Sequence, residues 1–481
     1  MRNVGSRIVS TVGRTRTWLL LVMALVAGVV LFVVPATAAP PNQAPATQTA
    51  NQQAYATTRD YVIRFYPRYM TYFQSSNGSP NRLVGPAGMS PEYGIVVAIN
   101  DDTLYASAFV DVSQGPEILT IPKPGTIYSL LTLDVFGNVL QTNIPSQGYG
   151  TYALVPHGYS GPLPANTTRV EVPYPTTVWI FRADKYSSTG QNLTSAAQAF
   201  RTSLHLASLP DYLSNPRSGR TTLVPLPVLA YRTKAITDEQ ATTAPTGFLR
   251  YLQQAVSAPS TQPLDDSDRG LAQAFNSAFA NANAAAGSGD YGPINAIAQA
   301  TRDTHALIVD HWLSHTDSNR WIHFDNVGEW GTAYLDRASL NEYIQYGNNA
   351  AAAKYYDAFT DHNGAPLDST VAREYQLTFS KDQIPDAKRF WSLTAYIPPG
   401  VTLVPNAANK YVVAGYTPGL VTNADGSITI YIAPSKPIGA PAANWLPVPS
   451  GPFSLLLRVY GPEGNTSGTY SPPPITPYGL F

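Results

Sequence analysis

Histidine is the residue type whose spacing most directly suggests chemistry in this 481-residue chain. Four of the seven histidines fall in one short stretch, at His305, His311, His315 and His323. His311 and His315 are four positions apart, so a helix would place both imidazoles on one face at metal-binding spacing. No glutamate lies between them, so the general base of the H-E-x-x-H motif is missing. Two interpretations stay open: a divalent metal site, or histidines that only form hydrogen bonds.

A polar segment, NDDTLY at residues 100–105, offers carboxylates and a phenol. On a strand, alternation would place Asn100 and Asp102 on one face and Asp101 with Tyr105 on the other. Adjacent carboxylates that point apart make a poor acid/base pair, because such a pair must flank one substrate. Asp102 and Asn100 therefore either line a polar site or satisfy backbone groups in the turn that enters the strand.

Arg337, in the segment YLDRA, lies on a predicted helix. Its guanidinium could clamp a carboxylate or phosphate, or it could pair with an acid such as Glu329 and tie the helix to a β domain. If the chain is an enzyme without a metal, the candidate catalytic residues are Asp102, Tyr105 and Arg337. They would have to converge on one cleft, since catalytic groups must reach one substrate.

Trp445 and Arg458 lie in segments with strand character. An exposed tryptophan on a β face can stack on a sugar, whereas a buried one anchors the core. Arg458 interrupts the apolar segment LLLRVYG, so we expect it to form a structural ion pair. The candidate ligand-binding residues are Asn100, Asp102, Arg337 and Trp445.

The first 38 residues have the anatomy of a secretory signal. Arginines without acidic residues precede an apolar run over residues 18–34, and an A-x-A site follows that would be cleaved after Ala38. An uncleaved anchor is the alternative, because the run approaches the roughly 18 to 20 residues that span a bilayer. We expect an extracytoplasmic protein, secreted or associated with the cell envelope, that contacts the membrane only through this segment.

Composition excludes several classes of chemistry. The chain contains no cysteine, which excludes disulfides, thiolate metal sites, a cysteine nucleophile and lipid attachment at an N-terminal cysteine. Lys+Arg and Asp+Glu number 30 and 31, with no basic tract, so we expect no nucleic-acid partner. The motifs of nucleotide-binding loops and of the serine hydrolase elbow are missing as well.

Changes of hydrophobic period divide the chain into regions with a mixed, mainly β, fold. Helical periodicity is strongest over Gln53–Gln74, Leu271–Ala286, Ile294–Ser314 and Gly331–Tyr346. The predicted regions are a signal peptide (1–38), a disordered linker (39–52), an N-terminal helix with a β domain (53–190), a mainly helical region (191–347), a C-terminal β domain (348–461) and a loosely packed Pro-rich tail (462–481).

Several segments resemble known domains. AINDDTLYASAFVDVSQGPEILTIP (98–122) resembles the domain of unknown function 1254. Five later segments resemble the domain of unknown function 1214, namely GTAYLDRA (331–338), FWSLTAYI (390–397), DGSITIYI (425–432), NWLPVP (444–449) and LLLRVYGP (455–462). This paired family implies two jelly-roll-like β-sandwich domains, with a helical segment between them, and no general activity. Asp101 departs from the family, which usually has a basic or other polar residue there.

These observations favour an exported protein that binds a small molecule, a glycan or a lipid-derived ligand between its β domains. One alternative is a metal-assisted or acid/base hydrolase or lyase, and another is a structural assembly protein. No cofactor is predicted apart from the divalent metal that His311 and His315 would hold. The oligomeric state is left open by the sequence.

Overall fold

The computed structural model describes residues 45–259, 261–370 and 373–479. From Ala46 onward, contacts within the chain group the residues into one compact unit. The predicted signal peptide and residues 39–44 of the predicted linker lie outside the described residues. Within the described ranges, no helix has the length and apolar character that a membrane crossing requires.

Helix α1 (Pro45–Ser76) begins earlier than the sequence pattern indicates. Residues 45–52 were expected to be part of a disordered linker, but they are helical. Proline is tolerated in a first helical turn because its missing N–H would have no partner there. Further along α1, Tyr61 stacks on Phe275 and Tyr69 on Phe248, so aromatic packing fixes the helix against the core.

The N-terminal region contains two sheets, with strand orders β4-β7-β2-β1-β9 and β6-β5-β3-β8. Their strands are β1 (Val84–Pro86), β2 (Thr103–Asp111), β3 (Glu117–Ile121), β4 (Tyr128–Leu133), β5 (Gly150–Pro156), β6 (Thr168–Val172), β7 (Thr176–Asp184), β8 (His205–Ser208) and β9 (Thr222–Val224). Strands β8 and β9 lie beyond residue 190, where a mainly helical region was expected. They complete the two sheets because β8 pairs with β3, and β9 pairs with β1.

Alternation along β2 and β7 gives the first sheet two different faces. Ala106 on β2, with Trp179 and Phe181 on β7, packs into the core shared with the second sheet. Tyr105 on β2 and Ile180 on β7 belong instead to the larger core that includes α1. The second face therefore points toward the helices, and it is the face that carries the site described below.

Two short helices lie between the last N-terminal strands, α2 (Thr194–Thr202) between β7 and β8 and α3 (Leu209–Ser214) between β8 and β9. The other helices of this region follow β9: α4 (Thr233–Thr243), α5 (Pro245–Ser257), α6 (Asp266–Gly287), α7 (Gly292–Ser314) and α8 (Tyr334–Tyr343). The helices predicted over Leu271–Ala286 and Ile294–Ser314 are confirmed by α6 and α7. The observed helix α8 is shorter than the helix predicted over Gly331–Tyr346, because it begins at Tyr334 and ends at Tyr343.

The C-terminal region contains two further sheets, β10-β17-β12-β13, with β14 also paired to β12, and β16-β15-β11-β18. Their strands are β10 (Ala353–Ala358), β11 (Glu374–Phe379), β12 (Ala387–Ile397), β13 (Thr402–Leu403), β14 (Val412–Ala414), β15 (Ile428–Ala433), β16 (Trp445–Pro447), β17 (Ser454–Pro462) and β18 (Thr476–Tyr478). A core cluster that includes Leu393, Leu457 and Ile430 lies between them. The fold thus has several β-sheets and an N-terminal helix.

The expectation of a loosely packed tail after residue 461 is wrong. Strand β18 pairs with β11, Ile475 is 1% exposed, and the Trp321 indole donates a 2.9 Å hydrogen bond to the Pro473 carbonyl. Proline removes a backbone donor but keeps the carbonyl acceptor. A Pro-rich segment can therefore be held firmly through its carbonyls and its apolar side chains.

Candidate functional site

A cavity of about 620 Å³ lies against the helix-facing side of the first N-terminal sheet. Its volume is in the roughly 300 to 1,000 Å³ range of small-molecule sites. Most of its wall is apolar and comes from strands β1, β2, β7 and β9, from residues 95–99 and from residues 223–229. The apolar wall includes Val84, Ile95, Val97, Phe109, Val178, Ile180, Val224 and Leu229.

The two parts of the cavity wall differ in exposure. Asn77, Gly78 and Ser79, at the end of α1, are exposed, so the cavity reaches the protein surface there. Arg182 and Arg458, together with the cavity-lining tyrosines around them, are buried. A molecule in this cavity would therefore meet apolar side chains along most of its length and two cations at the buried end.

Arg182 on β7 is the unusual residue of this site. It is 5% exposed, and its Nη2 donates a 3.2 Å hydrogen bond to the Tyr346 carbonyl. Its Nε and Nη1 are buried and have no hydrogen-bond partner in the described part of the chain. None of the ion pairs found among residues 45–259, 261–370 and 373–479 includes it. By hydrogen-bond geometry, two donors of one buried guanidinium therefore lack an acceptor, although the Tyr105 hydroxyl is near enough to contribute to its pKa as a hydrogen-bonding neighbour.

The aromatic surroundings of Arg182 do not remove its charge. Burial alone would lower the pKa of this guanidinium, but the neighbouring Tyr105, Tyr460 and Tyr355 more than offset burial and raise it above its usual value. The guanidinium carbon lies 5.5 Å from the centre of the Tyr105 ring, which is its direct cross-strand neighbour. A ring face attracts a cation but cannot accept hydrogen bonds from all of its donors.

Other buried arginines lack this combination of features. Arg68 and Arg337 each have one unpartnered buried nitrogen, and neither of them lines the cavity. Arg458 lines the cavity, but its guanidinium donates to the Ala98 carbonyl at 2.5 Å and to the Tyr396 hydroxyl at 2.7 Å. The ion pair that we expected for Arg458 is not formed with any described carboxylate, because oxygen atoms of neutral groups accept from it instead.

Asn100 orients two of the cavity-lining tyrosines. Its Nδ2 donates to the Tyr460 hydroxyl at 2.7 Å, and its Oδ1 accepts from the Tyr105 hydroxyl at 2.9 Å. Asn100 itself is buried behind them and does not line the cavity. This predicted ligand-binding residue is therefore placed beside the site, where it holds the two phenols in position.

Asp102 is placed away from the cavity, in a closed hydrogen-bonded environment. Its carboxylate accepts a 2.8 Å hydrogen bond from Ser392 and another from the Tyr416 hydroxyl. Burial raises the pKa of Asp102, and the hydrogen bond from Tyr416 opposes that rise. Since Ser392 lies on β12, Asp102 connects the N-terminal strands to the C-terminal sheet.

Arg337 does not meet Asp102 and Tyr105 in one cavity. Its Nη2 donates a 2.5 Å hydrogen bond to the Arg64 carbonyl on α1, and its guanidinium lies 5.1 Å from the Tyr334 ring centre. Burial lowers the pKa of Arg337. Of the three candidate catalytic residues, Tyr105 alone lines the cavity.

Trp445, the remaining candidate ligand-binding residue, lies on the short strand β16. Its indole donates a 2.9 Å hydrogen bond to the Ala433 carbonyl, and residue 445 pairs with Tyr431 on β15. These contacts fix the ring to its own sheet.

His311 lies in the last turn of α7, and His315 directly follows the helix. Their ring centres are 6.0 Å apart. His311 makes a 2.7 Å contact with Asp336, and His315 stacks on Phe324 with ring centres 4.1 Å apart. Among the described residues, the group whose ligand atoms lie close enough to hold a metal is a different one, Asp238, His305 and Glu342. The sequence pattern thus indicated the correct helix, α7, but the predicted metal pair was His311 and His315 and did not include His305.

The group of Asp238, His305 and Glu342 already contains a cation. The Lys234 ammonium contacts Glu342 and lies 2.8 Å from Asp238, while His305 lies 3.2 Å from Asp238. Tyr66 donates a hydrogen bond to the second Glu342 oxygen. Burial opposes the charge of Lys234, but the two carboxylates raise its pKa. This ion-pair cluster stabilises the packing of α1, α4, α7 and α8.

The fold and the site define a chain with two β regions, helices beside them, and a cavity to which both β regions contribute. Two family models match it: "Protein of unknown function (DUF1254)" at residues 80–208 and "Protein of unknown function (DUF1214)" at residues 352–464. The chain therefore belongs to the family that carries these two domains in one protein, as the sequence segments predicted.

Solved structures provide a second comparison. The VPA0106 protein from Vibrio parahaemolyticus is similar, with 18% sequence identity and a TM-score of 0.55, over 89% of this chain and 100% of that chain. This likeness shows the fold alone. A second crystal structure, of an uncharacterised protein from Burkholderia cenocepacia, has 17% identity and a TM-score of 0.41, over 90% of this chain and 93% of that one. No curated protein matches this chain.

Proposed function

We propose that this protein binds an anionic ligand with an apolar body, whose anionic group contacts Arg182. The observation that carries the proposal is the pair of unpartnered nitrogens, Nε and Nη1, of a buried guanidinium on a cavity wall. A buried cation without a partner costs several kcal/mol of stability, and a bound anion removes this cost. Arginine forms charge-assisted hydrogen bonds that suit carboxylate and phosphate groups.

The apolar wall defines the remainder of the ligand. Strands β2 and β7 present Phe109, Val178 and Ile180 to the cavity, and Leu229 faces them from residues 223–229. These side chains favour an aliphatic or aromatic body over a free sugar, because they offer sugar hydroxyls few hydrogen-bond partners. Among the expected ligand classes, a lipid-derived or other amphipathic small molecule therefore fits better than a glycan.

The lining also favours binding over acid/base hydrolysis. Within the described ranges, it includes no histidine, lysine or carboxylate, and its ionisable groups are arginines and tyrosines. A general base needs a pKa near the working pH. Burial raises the pKa of Tyr460 well above its ordinary value, which makes it a poor base near neutral pH.

We further propose that the mature chain works outside the cytoplasm, and that each pair of sheets forms a jelly-roll-like β-sandwich. Support for export comes from the charged, apolar and small-residue order of the first 38 residues. Cell fractionation with N-terminal sequencing tests this part. A mature protein that begins at Ala39 is expected, and one that keeps Met1 in the cytoplasm would contradict it.

A competition assay tests the ligand class. Dodecanoate should displace a fluorescent dansyl fatty acid from the purified protein, whereas dodecanol and glucuronate should compete far more weakly. Dodecanol lacks the charge, and glucuronate lacks the apolar body. Equal competition by all three compounds, or no binding of the probe, would contradict the proposal.

A cavity-filling variant shows whether the ligand occupies this cavity. Ser107→Trp places a large ring on the cavity face of β2, so probe binding should be lost. Thr168→Trp, on the exposed part of strand β6, is the matched control and should bind normally. Binding that survives in Ser107→Trp would place the ligand elsewhere.

A further inference from the structure

We infer that the hydroxyl groups of Tyr355 and Tyr460 donate hydrogen bonds to the anionic group of the ligand. These hydrogen bonds make the site select a carboxylate over an amide. This inference rests on the proposed function, because it concerns the same cavity. It assigns a role to two residues of the C-terminal region, whereas Arg182 belongs to the N-terminal region.

The hydrogen bonds of Tyr460 leave its proton without an acceptor. A tyrosine hydroxyl has one proton to donate and can also accept. The Tyr460 oxygen accepts from Asn100 Nδ2 at 2.7 Å, and no acceptor for its own proton occurs in the described part of the chain. Tyr105 differs, because its proton is donated to Asn100 Oδ1. Asn100 therefore leaves one of these two phenols free to donate.

Tyr355 is arranged in the same way by another asparagine. Its hydroxyl oxygen accepts from the Asn348 backbone N–H at 3.0 Å and from Asn348 Nδ2 at 2.7 Å. Both accepted hydrogen bonds come from one residue, and the described residues provide no acceptor for the Tyr355 proton. Two buried phenols thus have an unused donor.

The strand register places these phenols together. Tyr355 on β10 is paired with Arg458 on β17, and Ala353 is paired with Tyr460. Tyr355 and Tyr460 both belong to the core cluster on the helix-facing side, and both line the cavity. Arg182 lines the same cavity.

This arrangement consists mainly of donors. The free nitrogens of Arg182 and the two phenol protons all require an acceptor. A carboxylate has two oxygens that only accept, so it can satisfy several of them at once. A primary amide of the same shape presents an NH₂ group to the same donors, which leaves buried polar groups unpaired. The site should therefore discriminate strongly between the two.

The test compares dodecanoate with dodecanamide on Tyr355→Phe and Tyr460→Phe. Each variant should bind dodecanoate about tenfold more weakly, since it loses one hydrogen bond to a charged group. Its affinity for dodecanamide should stay the same, so the ratio of the two affinities falls. The matched control is Tyr375→Phe, which removes a buried hydroxyl whose hydrogen bonds to described residues are both to the Asp368 backbone. That variant should keep the wild-type ratio.

Asn100→Asp tests whether the Tyr460 hydroxyl donates a hydrogen bond to the ligand. An aspartate at this position accepts from Tyr460 instead of donating to it, so the phenol proton is consumed inside the protein. Dodecanoate affinity should drop about as much as in Tyr460→Phe. Unchanged affinity would mean that Tyr460 does not donate to the ligand.

The outcomes separate this inference from the proposed function. If wild-type protein does not bind dodecanoate, the proposed function fails. If it binds, and both Tyr→Phe variants keep the wild-type ratio of dodecanoate to dodecanamide affinity, the proposed function stands and this inference is wrong. A uniform loss for both ligands would also overturn it, because it would indicate a structural role for the hydroxyls.

Discussion

Arg182 and Lys234 are both buried cations beside the helix-facing side of the core, yet their surroundings differ completely. Lys234 lies between Glu342 and Asp238, which neutralise its charge. Among the residues that the structure describes, Arg182 has one backbone carbonyl as an acceptor, and two of its nitrogens form no hydrogen bond. The charge of Lys234 is thus neutralised by described residues, whereas the charge of Arg182 is not.

This difference indicates two roles for buried charge in one fold. A cation that the chain itself neutralises connects helices and contributes to stability, although a hydrophobic cluster of the same volume could do the same. A cation that the chain leaves unsatisfied lowers stability, and such costs are typical of functional sites. Removing each cation should therefore change stability in opposite directions.

The largest expected effect is that of Lys234→Met. The substitution leaves the Glu342 and Asp238 carboxylates buried together without their cation, so the free energy of unfolding should fall by about 3 to 5 kcal/mol. Urea unfolding measures the change. The control is Lys123→Met, at an exposed lysine, which should be neutral. A neutral Lys234→Met would remove the contrast between the two sites.

The second effect has the opposite sign. Arg182→Met places an apolar side chain on an apolar wall and removes an unpaired charge. The ligand-free protein should therefore gain roughly 1 to 4 kcal/mol in the free energy of unfolding. Arg389→Met is the matched control, because Arg389 is paired with the buried Asp184, and it should lose stability. Loss of stability in Arg182→Met would mean that Arg182 is a structural residue.

The smallest effect is a pH dependence to which the Lys234 cluster contributes and Arg182 does not. Burial raises the pKa of Glu342 above its ordinary value of 4.5, although Lys234 opposes the rise. The folded chain then holds this proton more tightly than the unfolded chain does. The free energy of unfolding should therefore fall as the pH rises above about 4.5 toward neutrality.

Glu342→Gln isolates this contribution. The variant has no carboxyl proton at position 342, so its unfolding free energy should depend less on pH between about 5 and 7 than that of the wild type. Arg182 does not titrate in this range, so Arg182→Met should keep the wild-type pH dependence. Equal slopes for wild type and Glu342→Gln would show that Glu342 is not the group involved.

Local patterns in the sequence predicted the elements better than the site. Helical periodicity and family segments are patterns of residues that are close in sequence. The helices predicted from such periodicity are confirmed by α6 and α7. The metal-binding spacing of His311 and His315 is also local, but the group in which three ligand atoms meet joins residues from α4, α7 and α8. No spacing along the chain reveals such a meeting.

Arg182 was missed, although a signal for it exists in the sequence. It follows the apolar run TVWIF on β7, as Arg458 lies within LLLRVYG. A buried arginine on a strand needs a partner, and both residues are of this kind. The tertiary fold brings the Ala98 carbonyl and the Tyr396 hydroxyl to Arg458, but only the Tyr346 carbonyl, among the described acceptors, to Arg182. The sequence does not show this difference.

The most direct test of the account is calorimetric titration of dodecanoate into wild type, Arg182→Met and Arg68→Met. Arg68 is an equally buried arginine whose guanidinium bonds to the Ala255 carbonyl and to Thr261, outside the cavity lining. The account predicts that Arg68→Met binds like wild type and that Arg182→Met binds about 10- to 100-fold more weakly, the loss expected for hydrogen bonds between charged groups. Equal affinity of wild type and Arg182→Met would contradict it.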